Sequence, residues 1–364
     1  MKRLFAGILA TLILITLWGC TPENPNSGET TAAPTEELLT GWQVIDGEIY
    51  CFTDTGEPVT GWLSEFEAGE SVRYYFHDNG KLATHWQEIG GKRYYFSANG
   101  AMTTGWLELE DGTYYFGMDG ALFTGLLNIQ GKGYYFGEDG RRYSGWLEQE
   151  GQTYYFGSDG IMAVGQVEIE GQTHHFSPHG VKILLVNPWN SLPADYTVEL
   201  VEVTYRDRLE TTCAEALQRM LADCEASGYD PMIVSAYRTQ EEQDFLFQRK
   251  LNGLLASGWN PEKARTEAAK SVAIPGTSEH QLGLAVDIID SNYGYLDDYQ
   301  AQMPTQKWLM EHCHEYGFIL RYPVGTTEIT GIIFEPWHYR YVGVEIAQEI
   351  MNLGITLEEY LGAA

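Results

Sequence analysis

Positive charge is scarce in this chain: 22 lysines and arginines stand against 51 aspartates and glutamates among 364 residues, a formal net charge of -29. Acidic residues occupy both halves and no basic stripe interrupts them, which excludes nucleic-acid phosphate as a partner and suits neutral or cationic ligands. Long apolar runs are equally scarce. The one that exists, residues 4–18 behind Lys2 and Arg3, is too short to span a bilayer comfortably and reads as an export signal. Cysteine is sparse too, with Cys51, Cys213, Cys224 and Cys313 beyond the one at position 20. Cys213, Leu217, Met220, Leu221 and Cys224 fall at helical spacing behind a capping-box-like Thr212-Cys213-Ala214-Glu215. Two cysteines about 16 Å apart along one helix cannot bridge, and they read as small core residues. The length exceeds what one ordinary core fills and predicts two domains plus whatever lies at the ends.

Leu17-Trp18-Gly19-Cys20 resembles the end of a bacterial lipoprotein signal. The resemblance implies that residues 1–20 are a signal peptide, that Cys20 is the lipid attachment point, and that the protein works at the outer face of the cytoplasmic membrane or in the wall of a Gram-positive-type bacterium. Residues 21–40, rich in Pro, Thr, Glu, Ser and Asn, have almost nothing to bury and read as a disordered linker.

From residue 41 to about 181 the chain repeats every twenty residues or so. Each unit opens on a Gly-Trp pair (Gly41-Trp42, Gly61-Trp62, Gly105-Trp106, Gly145-Trp146), with His85-Trp86, Gly125-Leu126 and Gly165-Gln166 as departures. Aromatic triplets follow, such as Tyr74-Tyr75-Phe76 and Tyr114-Tyr115-Phe116, and an Asp-Gly or Asn-Gly turn closes the unit. Aromatic strands bounded by glycine turns make short hairpins, and a hairpin this small must stack on its neighbours, giving an all-β hairpin solenoid. These units closely resemble the choline-binding or cell-wall-binding repeats of Gram-positive surface proteins. The resemblance implies ligand boxes between neighbouring units, built on Trp42, Trp62, Trp86, Trp106 and Trp146. Ring faces attract a quaternary ammonium by roughly 0.5 to 2 kcal/mol per contact. The same surface stacks on sugars, so both choline-bearing teichoic acid and wall polysaccharide stand open as partners, and Leu126 and Gln166 cannot complete a box.

The final part, residues 187–364, changes character. Thr239-Gln240-Glu241-Glu242 is a capping box opening a helix that directs Phe245, Leu246, Leu251 and Leu254 to a core. Asn260-Pro261 starts another helix, Gly317 ends one, and Thr356-Leu357-Glu358-Glu359 opens a last short one. Apolar runs at 232–235, 284–289, 318–320 and 329–334 read as strands, so the domain is α+β. Zinc in hydrolytic sites takes three protein ligands and leaves a fourth position for water, whose pKa falls to about 7. His280, Asp287 and His338 can supply the three, and Glu335 is then a free carboxylate able to serve as base and then acid. His312-Cys313-His314 looks like a chelating cluster, but neighbours two apart on a helix point away from each other.

Ser278-x-His280-x-x-Gly283-x-Ala285-x-Asp287 with Glu335-Pro336-Trp337-His338 resembles the VanY-type D-alanyl-D-alanine carboxypeptidase family of zinc peptidases. The resemblance implies one zinc ion on His280, Asp287 and His338, Glu335 as general base, Arg238 as oxyanion stabiliser, and Ser278 and Gln243 as binders of the peptide's carboxy-terminal end. The expected whole is an N-terminal all-β hairpin solenoid followed by an α+β zinc carboxypeptidase domain that trims peptidoglycan stem peptides. An L,D-carboxypeptidase acting on tetrapeptide stems and a non-catalytic wall-binding scaffold are the alternatives left open.

Overall fold

A computed structural model describes residues 38–67 and 69–364. The expected signal peptide, the lipid attachment at Cys20 and most of the 21–40 linker lie outside the described residues. Among the described residues no helix is long and apolar enough to cross a membrane. The chain divides into two compact units, Met1–His85 with Phe96–Met102 and Trp86–Tyr95 with Thr103–Ala364.

Within the first unit, strands Gly41–Ile45 and Glu48–Phe52 form one antiparallel hairpin and Gly61–Glu67 with Glu70–Phe76 another. Asp46 and Gly47 join the first pair with φ of 52° and 83°, the doubly positive pattern that a two-residue turn needs to match strand twist. Register sets Trp42 opposite Cys51 and Trp62 opposite Tyr75. Cys51, Tyr74, Phe76 and Leu82 make a small core there.

In the second unit the pattern recurs in hairpins spanning 105–116, 125–136, 145–156 and 165–176, the last extended by a short third strand, Lys182–Ile183. Side chains alternate across each strand, so the Phe that ends each of these hairpins, Phe116, Phe136, Phe156 or Phe176, is buried. Asp119, Asp139 and Asp159 each accept a hydrogen bond from the backbone two residues on, repeating one turn geometry. The segment after each turn then bonds to the preceding hairpin, as in Arg142 N–H to Thr113 O at 2.7 Å and Met162 N–H to Gly133 O at 2.9 Å. Stacking therefore satisfies the backbone and buries the face that an isolated hairpin leaves wet.

The C-terminal part of this unit opens with a two-stranded ribbon, β1 (Leu200–Glu202) and β2 (Arg208–Glu210), and the helix α1 (Thr211–Ala226). Its central sheet has four antiparallel strands, β3 (Pro231–Ser235), β4 (Ala285–Asp290), β5 (Phe318–Leu320) and β6 (His338–Tyr341), in the order β3-β4-β6-β5. Cys213, Leu217, Met220 and Cys224 of α1 pack on Val286, Ile288, Phe318 and Tyr339 of that sheet in one core. All four described cysteines are free and buried, and burial pushes the Cys224 and Cys313 thiols up to about 12. Helix α1 begins two residues earlier than the sequence signal, because the Glu210 carboxylate accepts from Cys213 N–H at 3.0 Å in place of a threonine cap.

Between β3 and β4 run α2 (Gln240–Ala256), opened by the complete Thr239–Glu242 capping box, and α3 (Pro261–Ala269), capped by Asn260. Helix α4 (Pro304–His312) precedes a short helical turn that Gly317 ends at φ 88°. Two expectations need correction. Residues 329–334 are not a strand; they hold the end of the single turn α5 (Thr327–Thr330), Gly331 and a loop, and the fourth strand is instead the polar His338–Tyr341. On α2, Phe245 is 64 % exposed and the buried aromatic is Phe247, since core contact falls on the face shared with Gln243. Helices α6 (Val344–Leu353) and α7 (Leu357–Tyr360) close the chain over a second core with Leu185 and Ile319.

Candidate metal and catalytic site

Three neighbouring strands set the site. Asp287 on β4 sits opposite Ser235 of β3 on one side and His338 of β6 on the other. His280 precedes β4 in a single helical turn, Glu279–Leu282, which Gly283 ends at φ 76°. A Cβ at Gly283 would meet Leu200 and Val198 side chains and the Glu210 backbone N at 3.1–3.3 Å, so both conformation and space require glycine there. That bend returns His280 to the face that Asp287 occupies.

One ligand atom from each of His280, Asp287 and His338 lies within 4.8 Å of the others, and all three residues are buried. His280 Nε2 is 3.3 Å from Asp287 Oδ2, and His338 Nδ1 is 3.0 Å from Asp287 Oδ1. The outer nitrogens are engaged differently. His280 Nδ1 bonds the Ala236 carbonyl at 2.7 Å, leaving Nε2 as the inward donor. His338 turns Nε2 toward Glu279 Oε2 at 3.5 Å and presents Nδ1 inward. Outer partners of this kind fix tautomer and ring orientation in metal sites.

Electrostatics agree with a cation-binding role. Burial, and then the Arg238 charge, pushes His280 down to about 4, so its imidazole is neutral and its lone pair available. Burial opposes charge on His338 as well, but Asp287 and Glu279 overcome it and raise the ring to about 9. Burial likewise opposes ionisation of Asp287 and is outweighed by the two imidazoles and Arg238, which hold it well below the usual carboxylate range. The pocket thus already holds a positive charge as a proton on His338, where a divalent ion can substitute. Glu335 is different. Its Oε2 stands 4.0 Å from His338 Nδ1, and burial, with Asp287 adding to it against the relief from His338, Arg238 and Lys250, lifts its carboxyl to about 8. A carboxyl tuned into that range can both take and return a proton.

Arg238 donates to Asp287 Oδ2 at 2.8 Å, to Ser235 Oγ at 2.8 Å and to Gln243 Oε1 at 3.3 Å. Gln243, expected to bind the peptide's end, does not line the cleft: it is fully buried and its amide spans Arg238 and the Ala273 carbonyl. Ser278, Arg238, Tyr322 and Trp337 line a cleft of about 650 Å³ with His280, Asp287, Glu335 and His338. His312 pairs with Glu315 at 2.8 Å on the surface and joins no chelating cluster among the described residues.

Sequence reasoning missed Glu279 and Tyr322. Tyr322 lays its ring against His338, centroids 4.8 Å apart. Glu279 Oε1 accepts from Arg321 and Arg340, both at 2.8 Å, and Arg321 continues to Glu358 of α7, which Asn187 also contacts. Burial opposes this charge, yet the two guanidiniums hold the Glu279 carboxyl far below its usual range. Its adjacency to His280 in the chain was the one available signal, and charge pairing with residues 42 and 61 positions away was not readable.

The repeat tryptophans are not equivalent. Arg73 lies over Trp62 at 4.2 Å, Arg93 over Trp86 at 4.6 Å and Lys182 over Trp146 at 4.9 Å, so three ring faces already carry the chain's own cation. Trp42 donates its indole N–H to Glu65. Trp106, 42 % exposed, meets Tyr115, Tyr134 and Phe136 at 5.0–5.7 Å and has no cation of the described residues over its ring.

Two imidazoles and a carboxylate at ligand spacing, beside a carboxylate outside the set, define a metallopeptidase-type hydrolytic site. Residues 206–344 match the VanY D-alanyl-D-alanine carboxypeptidase family, and residues 39–85, 83–124 and 123–164 match choline-binding repeats. A D-alanyl-D-alanine carboxypeptidase of Enterococcus faecalis is 42% identical over 179 residues, 49% of this chain and 65% of that protein. This chain therefore spans just under two thirds of that relative's length. A solved structure of the vancomycin-resistance D,D-pentapeptidase VanY from a VanB-type cassette with Zn(II) is 42% identical, covering 49% of this chain and 97% of that one at a TM-score of 0.45. VanYB in complex with D-alanine-D-alanine is 43% identical, covering 49% and 96% at a TM-score of 0.46. The chain carries a VanY D-alanyl-D-alanine carboxypeptidase domain, with choline-binding repeats ahead of it.

Proposed function

We propose that the protein is a zinc-dependent D-alanyl-D-alanine carboxypeptidase that removes the terminal D-alanine from peptidoglycan stem peptides while its repeats hold it on the wall. The observation that carries this reading is the trio His280, Asp287 and His338 with donor atoms within 4.8 Å, and Glu335 4.0 Å from one of them. Those three residues would hold the zinc ion, consistent with the Zn(II) in the VanY relative. Bound zinc supplies Lewis acidity that polarises a carbonyl and acidifies water.

The chain's own groups do the rest. Glu335 takes a proton from the attacking water and returns it to the leaving amine nitrogen, the dual use that a raised carboxyl pKa allows. Arg238, held in plane by Ser235 and Gln243, faces the negative charge that develops on the carbonyl oxygen. Ser278 at the cleft wall binds the substrate's carboxy-terminal end. Export through the 1–20 signal and lipid attachment at Cys20 complete the proposal, supported by Leu17-Trp18-Gly19-Cys20. Membrane tether and repeats together raise the local substrate concentration.

The test is product analysis on defined stems. D-Alanine release from a pentapeptide is expected, and release from a tetrapeptide alone would assign L,D-carboxypeptidase chemistry instead. Glu335→Gln is expected to lower kcat by about 10²- to 10⁴-fold with zinc content retained, and full turnover in that variant would remove Glu335 from its role.

A further inference from the structure

The cleft-facing side of α2 carries groups that touch none of the reacting atoms, although the Lys250 charge tempers Glu335. Leu246, Arg249, Lys250, Gly253, Leu254 and Ser257 all line the cleft. Their spacing of three and four residues places them on one stripe of the helix, so a single face forms this wall. The stripe extends about 16 Å along the axis, several times the roughly 3.5 Å that one extended residue spans. A single departing alanine cannot occupy it.

We propose, building on the carboxypeptidase reading, that this stripe is a subsite for a free carboxylate on the acyl side of the scissile bond, with Arg249 and Lys250 as its recognition groups and Gly253 as its floor. Three independent features carry the assignment. First, both cations are exposed and neither forms an ion pair with a described residue, in a chain where acidic groups outnumber basic ones 51 to 22. No acidic residue stands three or four positions from either along α2, so the helix offers them no carboxylate, though Arg249 lies over the Phe245 ring at 6.0 Å. Second, among the described residues that line the cleft the carboxylates are Asp287 and Glu335, which belong to the catalytic end; the apolar lining includes Leu296, Ile332, Ile333 and Trp337. An anionic group entering this space meets complementary charge and no repulsion outside the reacting centre.

Third, Gly253 has no packing reason to be glycine. It lies inside α2 with ordinary helical backbone, and a Cβ there would meet nothing within 4 Å. Glycine in a helix interior is less stable than alanine, so this position gives up stability to leave room between the two cations and the cleft. The floor is open where the ligand must lie against the helix.

A pentapeptide stem offers such a carboxylate on its glutamyl residue and, when the third residue is a diamino diacid, on that residue also. Binding of stem peptides to zinc-loaded Glu335→Gln protein by calorimetry isolates recognition from turnover. Four peptides serve: one with all carboxylates free, and three amidated singly at the glutamyl residue, the diamino diacid or the terminal D-alanine. The expected result is about tenfold weaker binding when one upstream carboxylate is amidated, the arm affected identifying which residue supplies it. That ratio is expected to fall to about one in an added Arg249→Gln/Lys250→Gln background. Gly253→Leu is expected to weaken binding of every peptide, while Gly253→Ala raises the thermal midpoint. Discrimination that survives the double substitution, or that is confined to the terminal amide, would overturn the subsite. Should the free-carboxylate peptide bind with the expected ratios but yield no D-alanine with Glu335 intact, the reaction assignment fails and the subsite stands.

Discussion

Replacing Glu279 by glutamine tests how the metal trio is held. Glu279 and Glu358 are two buried carboxylates facing two buried guanidiniums, Arg321 and Arg340, each of the four at most 1 % exposed. The carboxylate of Glu279 accepts from Arg321 and Arg340 on Oε1, while its Oε2 faces His338 Nε2 at 3.5 Å, an ion pair without a hydrogen bond. A glutamine has one acceptor oxygen. It can keep the guanidiniums or the imidazole but not both, and it leaves one uncompensated positive charge in a closed interior. Removing one member of a buried pair typically costs about 3–5 kcal/mol. For a domain of this size that lowers the unfolding midpoint of the metal-free form by roughly 6–20 °C. Loss of the outer partner of a ligating histidine lowers metal affinity by about 10- to 100-fold. Chelator-stripped protein followed by thermal unfolding gives the first number, and zinc competition against a chromogenic chelator gives the second. A variant within about 1 kcal/mol of the parent, binding zinc within about threefold of it, would refute the idea that Glu279 both balances charge and orients His338.

Two further outcomes follow from the same physical reasoning. Trp106→Ala is expected to weaken retention of the repeat region on a quaternary-ammonium matrix by roughly 0.5–2 kcal/mol, and Trp62→Ala by less, because Arg73 already covers the Trp62 ring; equal losses in column retention would count against self-capping. The metal-free protein is expected to lose stability as pH rises. His338 binds its proton up to about 9 in the fold against 6.5 unfolded, so its contribution is complete below 6.5 and lost as pH passes 9, while Glu335, lifted to about 8, adds a loss between 4.5 and 8. Denaturant midpoints at pH 6 and pH 9 measure this, and a flat or rising profile would contradict the sign.

Hairpin repeats were legible because their signal is local. Gly-Trp pairs, aromatic triplets and turn glycines recur at fixed spacing, and period-two alternation decides which ring is buried. The helix starts at Thr239, Asn260 and Thr356 were equally readable, since a cap is a contact between residues two or three apart. Where reading failed, the deciding contact was distant. Residues 329–334 are apolar enough for a strand but pair with none, whereas His338–Tyr341 looks too polar and is drawn into the sheet by pairing with β4 and β5. Gln243 has the chemistry of a substrate binder, and packing adds that its amide contacts Arg238 and the Ala273 carbonyl.

By itself the sequence determined which chemistry is available: two histidines, an aspartate and a spare glutamate in spaced motifs, and aromatic units too small to stand alone. Tertiary structure decided which nitrogen of each imidazole turns inward, which tryptophans the chain covers with its own cations, and that Arg249, Lys250 and Gly253 share a wall of the catalytic cleft. The division has one cause. Local patterns are fixed by backbone geometry over a few residues, whereas burial, charge balance and ring orientation depend on partners tens of residues away, which only the folded sheet brings within a few ångströms.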